Sequence, residues 1–227
     1  MREVVLDIET TGLEYKEGHK IIEIACVELL NYVPTGKTYH TFVNPERENS
    51  LSAKEKHGIS DDFLRDKKLF KDVAPFFLKF INNSPIVAHN GLYFDIPFLN
   101  YELKLNNIKI LNNSVIDTLV LAKKKFPTSP ANLDALCRRF DIDLSSRKTH
   151  GALIDSKLLA KVYLELKGGQ QPNLILNPKD DKKRKEEINI SEKKILKDRK
   201  FVLSNEDTKN HKDFLKKIKN PIWNQYN

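Results

Sequence analysis

Two acids stand one residue apart at the end of an apolar run: in VVLDIETTGL, Asp7 and Glu9 follow Val4, Val5 and Leu6. Side chains alternate across a strand, so positions i and i+2 share a face and the two carboxylates point the same way. Like charges that close repel. They are tolerated when one stays protonated, when water screens them, or when a cation sits between them. The apolar setting weakens the screening option, and a cation site calls for further ligands.

Asp95 in AHNGLYFDIPFL stands at the head of a helix, just after a strand and a turn, where sheet proteins gather active-site groups. The plainer role for it is an acid stabilised by the helix macrodipole. Asp155 lies in HGALIDSKLLAKVYLEL, with Leu159, Val162 and Leu166 recurring at helical spacing from it. An acid on an apolar stripe needs a partner, either a buried ion pair or a metal. His150 precedes Asp155 by five, a spacing of about 140° on a continuous helix, so a shared site requires His150 to sit before the helix proper, on SSRKTHG. His57 and His89 lie beside glycine turns, where an imidazole holds a loop in place. Asp117 in VIDT reads as the N-cap of the next helix.

The elements that must position these groups follow from hydrophobic periodicity. REVVLDIE, KIIEIACVEL and GKTYHTFVNP read as strands, with turns at EYKEGH and NYVPTG, and such short connections favour antiparallel neighbours. SAKEKHGI and DVAPFFLKFIN read as helices, the second with an apolar stripe of Val73, Phe76, Phe77 and Phe80. PIVAHNG is a short strand, FDIPFLNYELKLN a helix and SVIDT a fifth strand. From Leu119 to Leu166 the pattern is helical, broken at FPTSP and at DIDLSSRKTHG. Strands first and helices interleaved later predict a mixed α/β sheet covered by helices.

At 227 residues the chain has room for one well-buried domain plus extra material. Its net charge of +8 points to an acidic partner, nucleic acid first among them. Two cysteines, Cys26 and Cys137, are expected as reduced core thiols, which leaves too few ligands for a zinc site. No run approaches the ~18 apolar residues that span a bilayer, and MREVVLDIE becomes a strand too early for a signal peptide. A cytoplasmic protein without membrane partners is expected. Composition changes at Gly168-Gly169. Residues 177–227 hold 15 Lys or Arg against 9 Asp or Glu, so the basic character lies mainly in the tail. Residues 177–200 have the composition of a disordered linker. Beyond them Phe214, Leu215 and Ile218 regain helical spacing ahead of Trp223, and a segment that short needs another protein to bury its apolar face.

An acid pair ending the first strand, a middle Asp at a helix start and a late HxxxxD together resemble the 3'-to-5' exonucleases built on four acids and a histidine. Within that superfamily VLDIETTGL, KHGISDDFL, VAHNGLYFDIPFLNYEL, NLDALCRRFDID and THGALIDSKLLAKVYLELKGGQ are similar to the proofreading epsilon subunits of bacterial DNA polymerase III. The similarity covers residues 1 to about 170, and the tail matches in plan only. It implies a ribonuclease-H-like five-stranded sheet flanked by helices, an exonuclease domain over 1–169, a linker over 170–203 and a polymerase-binding segment over 204–227. It further implies that Asp7, Glu9, Asp95 and Asp155 hold two divalent cations, Mg²⁺ or Mn²⁺, that Asp7 bridges both, and that His150 is the general base. Thr10, Leu13 and His57 would join Asp7, Glu9, His150 and Asp155 against the terminal nucleotide, the glycine of TTGL letting backbone approach it and Leu13 packing on its base.

By the same resemblance QPNLIL is a sliding-clamp (beta) peptide anchored by Gln171, Leu174 and Leu176. Phe214, Leu215, Ile218 and Trp223 would bind the polymerase alpha subunit, and a small theta-like subunit is a further possible partner. The substrate implied is DNA with a frayed or single-stranded 3' end. Three rival functions remain: an RNA or oligonucleotide 3'-end trimming nuclease of the same superfamily, a non-catalytic polymerase scaffold, and a nucleic-acid-binding module driven by the basic tail.

Overall fold

The computed structural model describes residues 1–145, 147, 149–169 and 203–219, which fall into two units, Met1–Leu174 and Ile175–Asn227. Gln171, Leu174, Leu176, Trp223 and the expected linker 177–200 lie outside the described residues.

The first unit is built on β1 (Arg2–Thr10), β2 (Ile21–Leu30), β3 (Val33–Phe42), β4 (Ile86–Ala88) and β5 (Val115–Asp117), in the order β3-β2-β1-β4-β5. The first three are antiparallel, as their short connections require, while β4 and β5 run parallel to β1 after helical crossovers. Helices are α1 (Leu51–His57), α2 (Asp61–Arg65), α3 (Phe70–Ile81), α4 (Asp95–Leu105), α5 (Thr118–Lys125), α6 (Leu133–Arg139) and α7 (Ala152–Leu166). Ser50, Ser60, Asp117 and Asn132 cap α1, α2, α5 and α6 by accepting a backbone N–H near each start.

Strand β1 is central, and its two faces serve different purposes. Val4, Leu6 and Ile8 pack with Phe77, Phe98 and Leu99 of α3 and α4. Val5 faces the other way, with Leu159, Ala160 and Tyr163 of α7. Glu3, Asp7 and Glu9 share that second face by the two-residue period. Tyr163 on α7 donates from its hydroxyl to Glu3 at 2.8 Å, and Ser156 donates to the Ala25 carbonyl at 3.3 Å, so the helix is registered along the strands residue by residue.

Two sequence expectations need correction. NYVPTG is not a loop: Asn31 and Tyr32 alone make the β2-β3 turn, both at positive φ (51° and 69°), as a two-residue hairpin turn demands. Strand β3 then begins at Val33, and its Pro34 is accommodated because β3 is a sheet edge. On α3, Phe76 is 61% exposed and does not belong to the buried stripe, which runs through Phe70, Val73, Ala74, Phe77 and Ile81. Phe76 lies one position from Phe77, about 100° around the helix. Cys26 and Cys137 are buried free thiols. No helix among the described residues is long and apolar enough to cross a membrane.

In the second unit, the helix Asn205–Leu215 is capped by Ser204 and buries none of its residues, leaving Phe214 59% exposed.

Candidate active site

The face of β1 covered by α7 ends in a cavity of about 430 Å³ whose lining includes Asp7, Glu9, Asp95, His150 and Asp155. They reach it from four places in the fold. Asp7 and Glu9 come from the end of β1, just before a register shift at Thr10. Asp95 opens α4 and Asp155 sits in the first turn of α7. His150 precedes the α7 N-cap, Gly151, so it is off the helix, and its backbone N–H donates to the Lys56 carbonyl of α1 at 3.1 Å. One ligand atom from each of Glu9, His150 and Asp155 lies within 4.8 Å of the others.

The electrostatics show how closely the acids crowd. Burial, and then the charges of Asp95, Glu9, Asp155 and Glu23, push the Asp7 carboxyl well above the usual carboxylate range. Glu9 is pushed up to about 8 by burial, Asp155, Glu23 and Asp95, with Lys56 opposing. Asp95 is raised to about 7, chiefly by burial, while hydrogen bonds with the backbone of Asp95 itself and Ile8 pull against the shift. Carboxylates so placed repel one another unless protons or cations intervene. A set of hard oxygen donors from separate elements, with an imidazole alongside, fits hard divalent cations and does not fit a thiolate-type metal.

Two acids and two bases that the sequence reading missed complete the surroundings. Glu23 is the cross-strand partner of Glu9. It accepts from the Ala152 N–H at 3.1 Å, so it caps the start of α7, and its other oxygen meets His40 Nε2 at 2.7 Å. Its signal was present in KIIEIACVEL, where an acid interrupts a buried apolar strand. Arg147 forks onto Asp155, with Nε to Oδ1 at 2.5 Å and Nη2 to Oδ2 at 2.7 Å, and also bonds Asp134. Lys56 lines the cavity beside His57. Arg147, Asp134 and Lys56 stand among other charged residues, and nothing in their spacing singles them out. Asp117 proves to be more than a cap: besides Leu119 N–H it accepts from Asn90 and Leu92, fixing the turn that leads into Asp95.

Thr10 and Leu13 both line the cavity, Leu13 with 67% of its surface exposed and Thr10 buried, donating to the Gly12 carbonyl at 2.6 Å. The glycine of TTGL has an internal reason: a Cβ on Gly12 would lie 2.3 Å from the His19 ring, which Thr11 holds at 3.0 Å. His57 Nδ1 accepts from the Ile59 N–H at 3.0 Å, which leaves the proton on Nε2, a buried atom without a hydrogen-bond partner among the described residues. His89 pairs with Thr118 at 2.9 Å and so ties the end of β4 to α5.

A five-stranded mixed sheet carrying acids on its central strand, flanked by helices, defines a ribonuclease-H-like nuclease fold. The family model described as "Exonuclease" matches residues 4–163. A DNA polymerase III subunit epsilon of Rickettsia conorii is 44% identical over 234 residues, covering 96% of each chain. The subunit epsilon of Salmonella typhimurium is 46% identical over 177 residues, covering 74% of this chain and 72% of its own. Among solved structures, Exonuclease X in complex with 5' overhanging duplex DNA superimposes with a TM-score of 0.57 at 24% identity, covering 72% of this chain and 90% of its own. A zinc-bound E. coli ExoI-ssDNA complex gives 0.65 at 17% identity, over 75% of this chain and 41% of its own. The chain belongs to the exonuclease family and, within it, to the epsilon subunits of DNA polymerase III.

Proposed function

We propose that this protein is a 3'-5' exonuclease that removes mispaired nucleotides, as dNMPs, from the 3' end of DNA, and that it works in the cytoplasm as the proofreading subunit of polymerase III. The observation that carries the reading is the meeting of Asp7, Glu9, Asp95, Asp155 and His150 in one cavity from the end of β1, the start of α4, the loop before α7 and the first turn of α7. Asp7, Glu9, Asp95 and Asp155 would hold two divalent cations, Mg²⁺ or Mn²⁺. Such ions, when bound, supply Lewis-acid charge at the phosphodiester and make water easier to deprotonate.

The chain's own groups do the rest. His150 takes the proton of the attacking water, and its place on a loop rather than on α7 lets the ring approach and leave. Glu23 holds the start of α7 so that Asp155 and Glu9 face each other. The Nε2–H of His57 donates to the terminal nucleotide, Leu13 packs on its base, and Thr10 holds the turn between them. Only an unpaired 3' end reaches so recessed a site, and a mismatch lowers the cost of melting, which gives selectivity for errors.

The domain reading is an exonuclease over 1–169, a linker over 170–203 and a polymerase-binding segment over 204–227. Helix Asn205–Leu215, which buries none of its residues and leaves Phe214 59% exposed, supports docking on the polymerase alpha subunit through Phe214, Leu215, Ile218 and Trp223. Gln171, Leu174 and Leu176 would engage the beta clamp, and a theta-like subunit would complete the assembly. The tether keeps the nuclease at high effective concentration near the primer end.

The test uses 5'-labelled primers with paired or mismatched 3' ends, and matched single-stranded RNA, incubated with Mg²⁺ and either native protein or D7A. Stepwise 3' shortening, faster on mismatched DNA and lost in D7A, is expected. Equal or faster loss of RNA would move the assignment to RNA trimming, and no cleavage would leave a scaffold.

A further inference from the structure

Arg147 is the most heavily engaged side chain in the site, and the proposed chemistry gives it nothing to do. Only 8% of its side chain is exposed. Its Nε and Nη2 occupy both oxygens of Asp155, at 2.5 and 2.7 Å, and Nη1 is anchored on Asp134. Nη2 also lies 2.9 Å from Nδ1 of His150. Nδ1 lies farther, 3.3 Å, from Oδ2 of Asp155; a guanidinium has donors only, so as its acceptor Nδ1 presents the lone pair and the imidazole proton sits on Nε2. With Arg147 in this position, both ligand oxygens of Asp155 and the basic nitrogen of His150 are committed. The two groups that the reaction needs are held by one fork.

We propose that Arg147 is a displaceable latch: it stands in for a cation at Asp155 and blocks His150, and a divalent cation must expel it before the site can work. The inference rests on the proposed reading of Asp155 as a cation ligand. A guanidinium and a divalent ion compete for the same carboxylate oxygens, and Arg147 supplies the single positive charge that makes a buried Asp155 tolerable on its own. The residue lies between α6 and α7, outside any helix or strand, so swinging the side chain out breaks no backbone ladder. Asp134, 43% exposed at the rim, gives the departing guanidinium an outer partner. Expulsion therefore couples metal loading to release of the base, and a half-assembled site stays inert.

The experiment compares the full chain as wild type, R147Q, R147K and D155N, by calorimetric titration with Mn²⁺ and by thermal midpoint in EDTA and in saturating Mn²⁺. Removing the competitor should make R147Q bind Mn²⁺ about tenfold or more tightly than wild type, the equivalent of one charge-assisted hydrogen bond that no longer has to be broken. Its midpoint should fall in EDTA, and the deficit should close in Mn²⁺. R147K, whose single ammonium cannot grip both oxygens and Asp134, should lie between, and serves alone if R147Q does not fold. A merely structural strut predicts the same midpoint loss with and without metal and unchanged or weaker Mn²⁺ binding, and either result overturns the latch. D155N separates the failures: if it binds Mn²⁺ as wild type does, the cation reading of Asp155 falls and the latch with it, whereas weak binding by D155N beside an unchanged R147Q refutes the latch alone.

Discussion

Binding of a divalent cation should expel protons from the acid cluster, and the amount follows from the structure. Glu9 titrates at about 8 and Asp95 at about 7 when only protein groups surround them. At pH 7 they therefore hold roughly 0.9 and 0.5 of a proton, and a bound cation, which requires the ionised carboxylates, releases about 1.4 protons from these two alone. Asp7, also raised, adds to the total. Apparent affinity should then rise by a factor of about 25 per pH unit near neutrality and level off above about pH 9, where little proton remains to lose. The same shifts have a fixed sign in stability. Groups raised in the folded state stabilise it fully below their ordinary values of 4.5 and 3.8, and that contribution is lost as pH rises through about 7 and 8. EDTA-treated protein should melt lower at pH 8.5 than at pH 6, and Mn²⁺ should remove most of the difference. Titration calorimetry in two buffers of different ionisation enthalpy counts the protons directly. Release of no protons between pH 6 and 7 would show that the acids are not crowded as described.

Three further outcomes follow from particular contacts. H150A should lower kcat by about 10²- to 10⁴-fold with a much smaller change in KM, measured on a mismatched primer, because it removes the proton acceptor while the other groups against the terminal nucleotide remain. G12A drives a methyl into the His19 ring, so chemical denaturation should show a loss of about 1–3 kcal/mol, with a substitution at His19 to a smaller residue recovering part of it. Y163F leaves the buried Glu3 carboxyl without its donor and should cost about 1–3 kcal/mol in the same assay, with the pattern of cleavage products unchanged.

The placement of the candidate site residues was legible in the sequence wherever it depended on spacing along one element. Two acids at i and i+2 on a strand share a face, and Asp7 and Glu9 do line the same cavity. For a histidine five residues before an acid on a helical stripe to share its site, the histidine had to lie off that helix, and His150 does. The order of elements, strands first and helices interleaved later, is why a mixed sheet with helical cover could be expected. What spacing could not reach was decided by pairing and packing across the chain. Glu23 became part of the site only because the β1-β2 register sets it opposite Glu9, and α7 buries it against the Ala152 N–H. Arg147, an ordinary charged residue in sequence, meets Asp155 and the equally ordinary Asp134 of α6 only through the fold. Phe76 turned outward because neighbouring positions on a helix differ by about 100°, and only the sheet beneath α3 chooses which of two adjacent phenylalanines is covered. Local periodicity is carried by each element alone, whereas the charge environment of a carboxylate depends on every group within a few ångströms, and those groups come from the whole fold.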